Sequence, residues 1–214
     1  MKRAAPLPHL RRELIAILRG VKPSEAGGIA AALFDAGFQA VEIPLNSPDP
    51  FRSIETAARL APAGCIVGAG TVLEPEDVDR LHDCGGRMVV SPNVDPSVIM
   101  AAAARDMVSL PGVFTASEAL LAVRSGASGL KFFPAMALGP QGIAAIRAVL
   151  PAGMPLAAVG GVAETDFAAY GKFGIRAFGL GSSLYRPGAT PAEVAIKAQG
   201  AIAAWDAAFA APAA

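Results

Sequence analysis

Residues 39–61, QAVEIPLNSPDPFRSIETAARLA, contain the unit that decides the fold. A short apolar run, QAVEI (39–43), has the length and β-branched content of a buried strand. The stretch behind it opens on helix-start residues, with Ser47, Pro48, Asp49 and Pro50, and continues as an amphipathic helix. One charged residue, Glu42, sits inside the apolar run.

The same pairing of strand and helix recurs along the chain. LIAIL (14–18) precedes KPSEAGGIAAALFDAG, CIVGAG (65–70) precedes EPEDVDRLHDCG, and RMVVS (87–91) precedes DPSVIMAAAARD. MVSLPG (107–112) precedes TASEALLAVRSG, GLKFF (129–133) precedes GPQGIAAIRAVLP, and PLAAVGG (155–161) precedes AETDFAAYGKFG. Last, IRAFGLGSS (175–183) precedes an alanine-rich stretch from Pro191 to Ala210. Near-continuous apolar strands with helical crossovers predict a parallel sheet covered on its outer side, and eight units predict that it closes into a (β/α)8 barrel, an α/β fold. The 214 residues are expected to form one such domain, 1–214, slightly shorter than the ~250 residues usual for this architecture, which leaves little room for an inserted domain or a long lid. The first twelve residues are expected as a short helix that plugs the lower end of the barrel or packs on its side. At the other terminus, Trp205 and Phe209 share a helix face at i, i+4, and the helix is expected to fray beyond them.

Composition narrows the function. Lys and Arg balance Asp and Glu at 18 each, so net charge recruits neither nucleic acid nor an anionic membrane. No window approaches ~20 apolar residues free of charge, Pro6, Pro8 and the Arg11-Arg12-Glu13 cluster break any signal-like run, and the cytoplasm is the expected compartment. Cys65 and Cys84 form no CxxC, His9 and His82 give no zinc spacing, and neither a metal nor a cofactor is expected. With 53% hydrophobic residues there is ample material for a large core, and a small molecule is the expected ligand.

In a barrel of this kind function belongs at the C-terminal ends of the strands. Arg19 ends the first, Glu42 the second, Thr71 follows the third, Pro92 and Asn93 the fourth, and Lys131 the sixth. Of five lysines, Lys2, Lys22, Lys172 and Lys197 lie in polar or helical settings, whereas Lys131 is flanked by Leu130, Phe132 and Phe133. Burial would lower its pKa and free a neutral amine to attack a carbonyl; the alternative is a structural ion pair with Glu42. Glu42 points into the barrel if Val41 and Ile43 face the helices, and both a proton shuttle and a salt bridge fit that position. Gly160 and Gly161 after the seventh strand, and Gly181, Ser182 and Ser183 after the eighth, fall where barrels hold phosphate on backbone amides and a short helix N-terminus; tight turns alone would also explain the glycines. GAGT (68–71) lacks the third glycine of a dinucleotide fingerprint.

IAILRG, AVEIPLNSP, GAGTVL, VVSPNVD, LPGVFTASEA, GLKFFPA, AVGGV and GLGSSLY together resemble the strand-end motifs of the bacterial 2-keto-3-deoxy-6-phosphogluconate and -galactonate aldolases, over nearly the whole chain. The resemblance implies a metal-independent class I aldolase, a homotrimer, acting on a phosphorylated 2-keto-3-deoxy sugar acid and releasing pyruvate. It implies Lys131 as the Schiff-base lysine, Glu42 as general acid and base, and Gly160, Gly161, Gly181 and Ser182 as the phosphate site. Arg19 and Thr71 match substrate-contacting positions, with Thr71 near the pyruvate carboxylate, and Phe133 and Pro92 would wall the pyruvate side. The chain departs from the gluconate branch at two positions, Asn46 for an arginine and Val159 for a threonine, and there looks like the galactonate branch. Arg19 is the candidate to cover the charge left by the missing arginine. Three alternatives remain: an aldolase of the gluconate epimer or of both, a phosphate-binding isomerase or synthase, and a non-catalytic sensor of sugar acids.

Overall fold

Prolines mark where the helices begin. In the computed structural model, which describes residues 2–209, Pro23, Pro50, Pro75, Pro96 and Pro191 open α1 (Pro23–Ala36), α2 (Pro50–Leu60), α3 (Pro75–Asp83), α4 (Pro96–Ala104) and α8 (Pro191–Phe209). In the first turn proline's missing N–H loses no bond and its fixed φ is already helical. α5 (Ala116–Ser125) starts instead on a capping box, in which Thr115 N donates to Glu118 Oε2 at 2.8 Å and Glu118 N to Thr115 Oγ1 at 3.3 Å. α6 (Ala135–Arg147) begins earlier than the expected GPQGI stretch and is broken at Gly139, so a separate first turn follows directly on Lys131's strand. α7 (Phe167–Gly171) is short and continues a 3-10 turn, Glu164–Asp166.

The strands are β1 (Leu14–Ile17), β2 (Ala40–Pro44), β3 (Ile66–Gly70), β4 (Met88–Val90), β5 (Val108–Leu110), β6 (Gly112–Val113), β7 (Leu130–Phe132), β8 (Leu156–Val159) and β9 (Ala177–Leu180). They pair in parallel in the order β5-β4-β3-β2-β1-β9-β8-β7-β6. The two outer strands of that order are consecutive in the chain, separated only by Pro111, whose ring nitrogen has no hydrogen to give the ladder. Its carbonyl still accepts from Lys131 N at 2.9 Å, and Ser91 N reaches Leu110 O at 3.3 Å. The nine strands are therefore eight staves, and the sheet closes through residues 108–113 into the expected barrel.

Side chains sort by the two faces of the staves. Val41 and Ile43 join Ile29 and Leu33 of α1 in the main core between barrel and helices. Ile15, Met88, Val90, Val108 and Leu110 fill the lower interior, and Ile17, Ala157, Val159 and Ala177 form a smaller cluster.

The N-terminal segment corrects one expectation. Residues 2–10 are not helical; Pro6 and Pro8 deny the run two amide donors and favour extended backbone. The segment is tied down by Ala4 N to Gly126 O (2.9 Å), Ala5 N to Met107 O (3.0 Å) and Ser128 Oγ to Ala5 O. It nonetheless closes the lower end of the barrel, where Leu10 packs with Ile15, Met88 and Leu110. Trp205 and Phe209 meet on one face of α8 with ring centroids 5.0 Å apart and planes tilted by 47°, and Trp205 Nε1 donates to Arg176 O at 2.9 Å; the expected fraying past Phe209 lies outside the described residues. Among the described residues no helix is long and apolar enough to cross a membrane.

Candidate active site

Register and alternation bring Glu42 and Lys131 to one place. Because Val41 and Ile43 face the helices, Glu42 faces the barrel axis. β7, with Lys131, stands four staves away from β2 in a ring of eight, on the opposite wall. Both side chains line a cavity of about 430 Å³ at the C-terminal rim, and both residues are buried, Glu42 at 4% and Lys131 at 7% exposure. Gly70, at the end of the neighbouring β3, makes room for the glutamate: a Cβ there would coincide with the Glu42 carboxylate. Among the described residues neither side chain makes a hydrogen bond or an ion pair, and Glu42 Oε2 is buried without a partner.

The electrostatics follow from that burial. Desolvation pushes Glu42 up to about 7, held back by attraction to Lys131 and Arg19. Desolvation pulls Lys131 down to about 8 against the opposing pull of Glu42, with Arg19 lowering it further. At pH 7 the neutral lysine fraction rises from about one in 3,000 for an ordinary side chain to about one in ten. Of the two sequence readings of Lys131, the desolvated amine fits this arrangement, and the tight ion pair does not.

The other expected residues fall around the pair. Thr71, Pro92, Phe133 and Val159 line the cavity, and the Phe133 ring centroid is 5.0 Å from Lys131 Nζ. Thr71 holds φ at 56°, the left-handed region that a β-branched residue rarely occupies. Gly160 and Gly161 have φ of 92° and 73°, and side chains there would run into the Phe133 ring and into Met136, so both the backbone and the space require glycine. Gly181, Ser182 and Ser183 complete this end of the cavity. Here the expected short helix is instead a single turn, with Leu184 N and Tyr185 N both donating to Gly181 O at 2.9 Å. The amides of Gly161, Ser182 and Ser183 donate to no described residue.

Arg19 also lines the cavity, but Asn46 stands one step back from it. Arg19 Nη1 donates to Asn46 Oδ1 at 2.7 Å, so Asn46 orients the guanidinium that faces the site. Among the described residues no three His, Cys, Asp or Glu side chains gather as metal ligands.

A family model described as KDPG and KHG aldolase matches residues 9–204. The chain belongs to the KDPG and KHG aldolase family. Its members are class I aldolases, carbon–carbon lyases. A relative from Rhizobium meliloti (strain 1021), named probable 2-dehydro-3-deoxy-6-phosphogalactonate aldolase, is 62% identical over 95% of this chain and 96% of its own length. The 2-dehydro-3-deoxy-6-phosphogalactonate aldolase of Escherichia coli (strain K12) is 47% identical over 82% of this chain and 85% of its own. A solved structure titled native KDPGal superposes with a TM-score of 0.91 at 44% identity, covering 94% of this chain and 97% of that one.

One charged residue of this aldolase's cavity went unmentioned in the sequence reading. Arg186 lies in the loop after β9, where no periodicity fixes the direction of a side chain, yet it lines the same cavity. The motif GLGSSLY stops one residue short of it.

Proposed function

We propose that the protein cleaves 2-dehydro-3-deoxy-6-phospho-D-galactonate to pyruvate and D-glyceraldehyde 3-phosphate through a Schiff base on Lys131. The observation that carries this reading is a buried lysine with no ion-pair partner among the described residues, sharing a cavity with a glutamate whose pKa is pushed up to about 7. Neutral Lys131 attacks the C2 ketone, and loss of water from the carbinolamine gives an iminium, with Glu42 moving the protons. Glu42 then takes the C4 hydroxyl proton and the C3–C4 bond breaks. Its electron pair passes into the enamine, and the aldehyde product leaves. Protonation at C3 and hydrolysis of the iminium release pyruvate and return the amine.

Glu42, half protonated near neutral pH, is suited to both giving and taking a proton in this cycle. Arg19, set by Asn46, is assigned to the carboxylate, and Thr71 to the same end of the substrate. The Gly160-Gly161 and Gly181-Ser182 turns are assigned to the phosphate. Preference for the galactonate epimer rests on the names of the two relatives and on Val159 and Asn46, where the gluconate pattern has a threonine and an arginine. A homotrimer belongs to the same proposal. Leu73, Met100, Phe114 and Leu121 are exposed on or beside α3, α4 and α5, which offers apolar surface to bury, and a native mass of a single 21.6 kDa chain would remove that part. The cytoplasm is the proposed compartment, in keeping with the free thiols of Cys65 and Cys84.

Borohydride reduction in the presence of pyruvate tests the chemistry. The expected product is a pyruvate-derived adduct on the peptide carrying Lys131, with retro-aldol turnover faster on the galactonate than on the gluconate epimer. Absence of the adduct would turn the assignment towards an isomerase or a binding protein. Equal rates on the two epimers would make the enzyme a dual one.

A further inference from the structure

Arg19 is solvent-exposed, yet it lines the cavity and its charge reaches both buried groups. An exposed arginine samples many rotamers, so a charge that acts on a fixed pair needs something to hold the guanidinium. The loop after β2 holds it at two adjacent residues. Asn46 Oδ1 accepts from Arg19 Nη1 at 2.7 Å, and Ser47 Oγ accepts from the backbone N of Gly20 at 2.9 Å. The first bond is exposed and would be weak alone; the second is anchored by a buried serine, 7% exposed, whose own N donates to Pro44 O at 2.9 Å. Gly20 has no freedom to slide away. Its φ is 82°, and a Cβ there would strike the Pro187 ring. On the strand side of Arg19, Leu18 N donates to Glu42 O at 2.9 Å, which ties the same stretch to the glutamate's own strand.

We propose that Asn46 and Ser47 are positioning residues that clamp Arg19 over Lys131 and Glu42, and that the pH at which the lysine amine becomes available depends on this clamp. This inference rests on the Schiff-base reading. The charged groups that line the cavity are Arg19 after β1, Glu42 on β2, Lys131 on β7 and Arg186 after β9. Apart from the action of Glu42 and Lys131 on each other, Arg19 is the one charge that shifts them, and it lowers both; Arg186 is among the causes of neither shift. Released from Asn46, the guanidinium swings into water, its field is screened, and both groups move up. A higher Lys131 leaves less neutral amine at a given pH. With arginine at position 46, as in the gluconate pattern, Arg19 would lose its acceptor and face a like charge; asparagine puts a carbonyl oxygen there.

Initial rates of cyanoborohydride trapping of pyruvate, followed across about pH 6 to 9.5, report the neutral fraction of Lys131. Arg19→Gln sets the full effect: the midpoint of the profile is expected to rise by about half a pH unit, the scale of one screened charge across a cavity. Asn46→Ala and Ser47→Ala are expected to move it the same way by less. Both should also raise KM for pyruvate in the direction of synthesis, with kcat above the midpoint nearly held. Ser47→Thr, which keeps the hydroxyl, is expected to restore the wild-type midpoint. In the Arg19→Gln background neither alanine change should shift it further, because both act through the arginine. Single variants that leave midpoint and KM at wild-type values overturn the clamp, and shifts undiminished without Arg19 overturn its route. If Ser47→Ala does not fold, as circular dichroism would show, Asn46→Ala, a change at an exposed position, decides alone. Wild-type protein that traps no pyruvate at any pH overturns the Schiff-base reading itself, a result separate from an unmoved midpoint.

Discussion

Lys131 sits in an environment that works against its own charge, as the proposed Schiff-base role requires. Leu130 and Phe132 bracket it on the strand, burial lowers it to about 8, and no described side chain pairs with it. A lysine whose folded pKa lies below its ordinary 10.5 costs the fold stability wherever it is protonated: fully below pH 8, progressively less up to 10.5, and not at all above. Lys131→Met should therefore abolish pyruvate trapping and still stabilise the protein at pH 7, by about 1–3 kcal/mol. Glu42 does not become a stranded charge in that variant, because losing the lysine's attraction raises its pKa further and keeps it protonated. Chemical denaturation at pH 7 and pH 9.5 checks this, with the gain shrinking at the higher pH; a variant less stable than wild type at pH 7 would mean that the charge is paired after all. The lysine and the glutamate were legible in the sequence because each interrupts an apolar run, and a charge in a strand core needs a reason. Arg186 was not, because in a loop the direction of a side chain depends on a contact such as that to Ser182 O, which has no periodic signature. Asn46 was legible as a departure from a pattern, but its hydrogen bond to Arg19 required the structure.

Strand pairing turns these residues into a site. The parallel register sets Glu42 opposite Gly68 and Pro44 opposite Gly70, so two glycines of GAGT flank the glutamate's path to the cavity. Gly70 is where the carboxylate sits, and its φ is not one that demands glycine. Gly70→Ala should thus be accepted by the backbone while its methyl displaces the Glu42 carboxylate. Turnover is expected to fall about 100-fold or more, the usual worth of a positioned acid–base group. Steady-state rates with circular dichroism as a check on folding decide it, and a near-wild-type rate would mean that Glu42 can work from another rotamer. At this scale the eight strand–helix units were readable from hydrophobic runs and proline punctuation. The break at Pro111 was not anticipated, since a missing N–H shows only against a partner strand. The expected N-terminal helix does not form because Pro6 and Pro8, which break a signal-like run, break a helix as well.

The molecule as a whole divides its tasks between the two ends of the barrel. Glu42, Lys131 and the glycine turns occupy the upper rim, where Glu42 Oε2 and Ser183 Oγ are buried without partners among the described residues and the backbone at Thr71 is strained. The lower end is closed by apolar packing. Leu10 lies on Ile15, Met88, Val90 and Leu110, and the segment holding it is pinned to α8 by Arg12, whose Nε and Nη2 donate to the two carboxylate oxygens of Asp206 at 2.7 and 2.6 Å. That ion pair is part-exposed, and surface pairs of this kind contribute little; the leucine carries the closure. Removing a buried leucine side chain costs about 2–4 kcal/mol through lost transfer energy and the cavity left behind. Leu10→Ala should lose that much stability in denaturant titrations while trapping pyruvate at an unchanged rate per folded molecule, because the stacked interior layers separate it from Lys131. A parallel loss of trapping in fully folded Leu10→Ala would show that the lower closure sets the geometry of the rim, and that the barrel is one mechanical unit from its plug to its active site.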